Sequence, residues 1–183
     1  MNEKHHYIEP RHNKKVLSGL WEIEQAVQRH QVMEIQYERM KEPTLVIRRV
    51  QPVGIMFSEC YFYLVAFLED KSNFDNLDDL FPTIYRIDRI CSFKVLDEHF
   101  HVPYRDCFEE GEFRKRIQFM FGGKLERIQF RYSDPSLEAV LNWLPTAKVI
   151  NSDDKGWTIS AEVFGKGVEM WLRSQGDYIE KID

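Results

Sequence analysis

The sequence predicts a mixed β and α+β protein: a small, strongly bent β-barrel over residues 31–97, followed by a two-layer βαββαβ sandwich over residues 125–183. Three observations carry this. Short apolar stretches follow one another between 31 and 97 with bends but no helical rhythm between them, as in small barrels. In the stretch YFYLVAFLED, residues 61–70, positions 61–68 are apolar at odd and even places alike before two acids close it, so its strand must be covered on both faces. After residue 125 the period switches back and forth between two and three-to-four in the order β-α-β-β-α-β, a sandwich pattern.

Taken in order, Val16, Leu17, Leu20, Ile23 and Val27 recur at three- and four-residue steps and predict a linker helix from Val16 to His30. Met33, Ile35 and Tyr37 then alternate with Glu34, Gln36 and Glu38, the pattern of a half-buried strand. TLVIRRVQPVGIMF reads as a strand bent near Pro52 and Gly54, residues that mark a bulge or a barrel corner. The turn-rich KSNFDNLDDLFP separates the 61–70 strand from TIYRIDRICSFKVL, whose β-branched and aromatic content predicts one long strand. Residues 98–124 form a connector, in which Glu109, Glu110 and Glu112 beside Arg114, Lys115 and Arg116 suggest a solvated helix face or an interface.

LERIQFRY is the first strand of the second unit, and SDPSLEAVLNWL its first helix, with Ser133 or Asp134 capping and Leu137, Val140, Leu141 and Leu144 on one stripe. AKVINS and GWTISAEVF pair across DDKG, KGVEMWLRSQG is a helix ended by Gly176, and YIEKI is the last strand. This order is ferredoxin-like. The first 30 residues are a tail plus the linker helix, so the chain divides at 1–30, 31–97, 98–124 and 125–183.

Composition narrows the function classes. A net charge of −5 argues against a surface that coats duplex DNA, since that needs many cations facing phosphates. No apolar run approaches the ~20 residues that span a bilayer, and the polar start lacks a signal-peptide core, so the cytoplasm is expected and a membrane is not. Cys60, Cys91 and Cys107 are odd in number and form no C-x-x-C pair, which points to reduced thiols. His99 and His101 share a strand face without a third ligand at telling spacing, so no metal and no cofactor is expected. No Ser-His-Asp order, P-loop or G-x-G-x-x-G occurs, and the expectation is a protein that catalyses no reaction.

From Arg49 to Ile90 the chain resembles the WYL domain family of bacterial transcriptional regulators. RRVQPVGI leads in, YFYLVAF stands at the motif and YRIDRI closes it. The family's namesake Trp-Tyr-Leu falls on Phe62, Tyr63 and Leu64, with another aromatic in place of the tryptophan. The preceding helix and MEIQYE resemble the family's entry, and residues 125–183 resemble its C-terminal extension. The resemblance implies an Sm-like or SH3-like barrel that senses a ligand, with nucleotides or single-stranded nucleic acid the favoured class. Such regulators begin with a winged helix-turn-helix, and nothing before Val16 is long enough to be one, so duplex DNA would be reached only through a reader absent from this chain.

The candidate ligand residues are Arg49, Tyr63, Arg86 and Arg89, with Arg48 and Tyr37 as weaker members. Guanidinium forks pair with phosphate and stack on bases, and Tyr63 would supply a π-face between arginines from two strands flanking the aromatic one. Ordinary surface ion pairs, such as Arg86 with Asp88, explain the same arginines without a ligand. The first function expected is a ligand-sensing module, as a homodimer, that shifts the DNA affinity of its reader. The alternatives are a constitutive single-strand-binding barrel and a dimerisation module without a ligand.

Overall fold

The computed structural model describes residues 19–39, 44–70, 81–101 and 108–182. Helix α1 (Leu20–Gln28) leads into strands β1 (Gln31–Glu38), β2 (Leu45–Ser58), β3 (Tyr61–Leu68), β4 (Thr83–Arg86) and β5 (Ile90–His99). These form one antiparallel sheet in the order β4-β3-β2-β1-β5. The start of the expected linker helix, residues 16–18, and the turn-rich 71–80 lie outside the described residues.

The bend at Pro52 is there: pairing of β2 with β3 slips between Pro52 and Gly54, and the strand continues beyond it. The bulge lets proline sit in a long strand without a missing ladder bond. Both faces of β3 are covered, as its continuous apolar run requires. Leu64 and Ala66 join Ile23, Met33, Ile35, Val50, Tyr85 and Ile87 in a core under α1, while Val65 packs with Met56 and Phe113 on the other side.

One expectation is overturned. TIYRIDRICSFKVL is not one long strand, because a 3₁₀ turn at Ile87–Arg89 divides it into β4 and β5, which lie at opposite edges of the sheet. Buried Ile87 continues the apolar pattern through the turn, so composition alone hides the break. No ladder joins β4 to β5 among the described residues, and the sheet is open as paired. It is nevertheless curled: Tyr37 of β1 meets Tyr85 of β4, three strands away in the order, with ring centroids 5.1 Å apart at 80°.

Within the former connector lies helix α2 (Glu110–Arg116), held on its wet side by Arg114–Glu110, Lys115–Glu112 and Arg116–Glu112 pairs. Buried Phe113 faces the sheet. The second unit follows the expected order: β6 (Leu125–Tyr132), α3 (Glu138–Trp143), β7 (Lys148–Asp153), β8 (Gly156–Phe164), α4 (Gly167–Ser174) and β9 (Ile179–Lys181). Its antiparallel sheet runs β7-β8-β6-β9. Phe130, Tyr132, Val140, Leu144, Val163, Trp171 and Leu172 are in its core.

Helix α3 starts later than the sequence suggests. Asp134 accepts from the Ser136 N–H and Ser136 Oγ from the Glu138 N–H, so these side chains build a turn before the helix. Within the short helix Leu141 lies outside the core, 52% exposed. At the end of α4, Gly176 takes φ +60°, the left-handed conformation that terminates a helix.

Candidate ligand site

Edge strand β4 positions the site. Register sets Arg86 opposite Tyr63 and Ile84 opposite Val65, so tyrosine and arginine share a face of the sheet. Tyr63 is 7% exposed, and burial pushes its phenol up, partly offset by the Arg86 charge. Arg86 donates from Nε to Asp88 Oδ1 at 3.0 Å and from Nη2 to Asp88 Oδ2 at 2.5 Å. The 3₁₀ turn brings the two residues together, and their hydrogen bonding raises the arginine further above its usual value. The same guanidinium lies 3.6 Å over the Tyr61 ring centroid. Arg86 is thus already neutralised and fixed in plane, a rigid wall.

Beside it is a cavity of about 430 Å³ lined by Tyr37, Tyr63, Arg86 and Arg89 together with Phe81, Phe119, Met120, Phe121 and Gly122. Arg89 has no ionic partner among the described residues. A second hollow of about 380 Å³ shares Tyr37, Thr83 and Ile84 with the first and is lined further by Arg39, Arg48, Asp70 and Tyr85. Arg48 makes one weak hydrogen bond, to the Ile47 carbonyl at 3.4 Å.

Four of the six residues named from sequence therefore line one cavity, and Arg48 lines its neighbour. Arg49 lines neither. It is held by Glu69 at 2.6 Å and Glu98 at 2.5 Å, because adjacent strand residues point to opposite faces. The structure thus places Arg49 apart from the cavity that Arg86 and Arg89 line.

The wall contributed by Phe119–Gly122 is missing from the sequence reading. Phe119 and Met120 have φ of 51° and 54°, a left-handed pair costing about 1–2 kcal/mol per residue. The two glycines that follow hold the segment down: a Cβ on Gly123 would lie 2.5 Å from the Gly165 Cα, and one on Gly165 2.5 Å from the Gly122 carbonyl oxygen. The only signal in the sequence is the Gly-Gly step after MF, which marks close backbone approach but not its partner.

The site combines aromatic planes, an apolar wall and guanidinium groups, a set suited to holding a planar anion. Buried Tyr85, which lines the second hollow, makes a pH prediction. Burial pushes this phenol up to about 12, so its stabilisation is full below the unfolded value of about 10 and is lost as pH rises from there through 12. Urea melts should show Tyr85→Phe losing about 2–3 kcal/mol less than wild type between pH 9 and 12. Equal losses would remove the assignment.

The molecule is thus a curled antiparallel β module with a cavity at its edge strand, joined to a second antiparallel sheet. Residues 20–95 of the first part match the family model described as WYL domain. Among solved structures, the chain is similar to "a CRISPR Cas-related protein" at 15% identity and a TM-score of 0.55, over 93% of this chain and 47% of that one. It is also similar to Proteasome accessory factor B/C (PafBC) of Arthrobacter aurescens, at 14% identity and a TM-score of 0.44, over 90% of this chain and 24% of that one. The chain thus spans about half or less of the length of these proteins. No curated protein matches it. Among the described residues, no helix is long and apolar enough to cross a membrane.

Proposed function

We propose that this chain is the ligand-sensing module of a cytoplasmic bacterial transcriptional regulator, binding a nucleotide or short single-stranded nucleic acid at the edge of its WYL domain and catalysing no reaction. The observation that carries this reading is the gathering of Tyr37, Tyr63, Arg86 and Arg89 around one cavity of ligand size. Arg89 faces the phosphate, Arg86 and Tyr63 form the flat wall, and Phe121, 51% exposed at the lip, offers a stacking surface. Occupancy favours one arrangement of a homodimer over another, and the DNA affinity of an associated helix-turn-helix follows from that difference.

In this reading the curled five-stranded sheet is an Sm-like or SH3-like barrel over residues 31–97, supported by its strand order and the Tyr37–Tyr85 contact. Residues 125–183 are a ferredoxin-like extension, supported by their element and strand order. Residues 1–30 and 98–124 are the entry and the connector.

Titration with short 5′-phosphorylated single-stranded DNA is the test. Arg89→Ala should weaken binding about tenfold or more, the size of a lost hydrogen bond to a charged group, and Arg86→Ala together with Arg89→Ala should abolish it. Unchanged affinity in the double variant would remove the cavity from the proposal. A steep salt slope with indifference to oligonucleotide length would favour the constitutive single-strand binder instead.

A further inference from the structure

Two abutting hollows, each holding an arginine without a carboxylate partner among the described residues, say more about the ligand than one cavity does. Four arginines sit on or near the strands that flank β3, and the structure splits them into two pairs. Arg49 is neutralised by Glu69 and Glu98, and Arg86 by Asp88. Arg48 and Arg89 have no ion pair among the described residues. The two unneutralised guanidiniums line different hollows, which meet at a common wall of Tyr37, Thr83 and Ile84.

An arginine at a concave, partly desolvated surface is held at a cost unless an anion faces it. The two without an ion pair among the described residues therefore mark two separate places for negative charge. In the second hollow Arg39 adds a positive charge and Asp70 a negative one, so its arginines outnumber its carboxylate. Each hollow, at about 430 and 380 Å³, lies near the lower end of the range for small-molecule sites. One nucleotide fits one hollow; two need both. Tyr37 between them has its ring packed edge-on to Tyr85, which fixes the divide in place.

Building on the nucleotide-sensing reading above, we infer that the ligand carries two phosphate groups, one at Arg89 and one at Arg48, with the chain between them crossing the Tyr37 wall. The ligand class is a dinucleotide or the phosphorylated end of a longer strand, and a mononucleotide occupies only half the site.

The experiment sets the 5′-phosphorylated dinucleotides pApA and pTpT against 5′-AMP and 5′-TMP by isothermal titration on the full chain. The dinucleotides should bind at least tenfold more tightly than their mononucleotides. Arg48→Ala and Arg89→Ala should each bring the dinucleotide down to the mononucleotide level, while at most one of them alters mononucleotide binding. Arg48→Lys, which keeps the charge, should recover part of the dinucleotide affinity and so separates a lost anion contact from a disturbed fold. Equal affinity for mono- and dinucleotides, or a dinucleotide indifferent to Arg48→Ala, would overturn the two-phosphate site and leave the sensing reading standing. Absence of binding by all four compounds would overturn both.

Discussion

Gly167→Ala should destabilise the protein by about 3 kcal/mol, the upper part of the range for overpacked sites, and, on the ligand-sensing proposal, should weaken nucleotide binding at temperatures where the chain is still folded. A Cβ at this position would sit 2.1 Å from the Gln118 carbonyl oxygen and 3.3 Å from the Phe121 Cβ. The first of these neighbours is backbone, so no rotamer change relieves the clash, and either α4 must withdraw or the 118–122 segment must move. That segment is already under stress: it carries the left-handed Phe119 and Met120, and the Gln118 side chain is 2% exposed with neither amide atom hydrogen-bonded. An unpaired buried amide costs about 1–3 kcal/mol, so this segment, rather than helix α4, is the part expected to shift. The moved residues are the ones that wall the cavity beside Arg89. Thermal melts and nucleotide titrations of Gly167→Ala and Gly111→Ala check this. Gly111 lies in helix α2 with nothing within 4 Å of its Cβ position, and alanine there should stabilise by up to about 1 kcal/mol. A Gly167→Ala protein that melts like wild type would show that the close approach of α4 to the cavity wall does not exist in solution.

How far such contacts can be read from sequence depends on whether their cause is local. The coverage of β3 on both faces followed from its continuous apolar run, the bulge from Pro52 and Gly54, and the end of α4 from Gly176, because in each case the responsible residues lie within the element. The division of TIYRIDRICSFKVL did not show. Ile87 keeps the apolar pattern intact across the break, and what defines the turn is a pairing of Arg86 with Asp88 that an extended strand would also allow at two-residue spacing. The separation of Arg48 from Arg49 is legible in principle, since a strand alternates its faces; naming both residues as candidates for one site passes over the pleat. The Phe119–Gly122 wall was beyond reach. Its place beside β4 is set by contacts of Gly122, Gly123 and Gln118 with residues 38 to 49 positions away, and no periodicity in the chain encodes that meeting.

Trp171→Ala should cost about 3–5 kcal/mol, and the loss should be confined to the second sheet. Trp171 is 2% exposed and stands edge-on to Phe130 with centroids 6.3 Å apart, so truncation leaves a large void that short helix α4 cannot close without breaking its fit to the sheet. The core it belongs to draws on β6, α3, β8 and α4, whereas the core under α1 draws on none of these. The two are joined by a smaller cluster in which Phe164 of β8 and Phe113 of α2 meet Met56 and Val65 of the first sheet. A link of that size does not bind two cores into one cooperative unit when one of them has lost several kcal/mol, and sub-global opening is the expected response. Hydrogen exchange followed by mass spectrometry should find β6 and β8 losing protection in Trp171→Ala while β1, β2 and β3 keep theirs. Trp171→Phe, which fills most of the space, should lose less than half as much. Protection falling equally across both sheets would mean that the Phe113–Phe164 cluster holds the molecule together as a single unit.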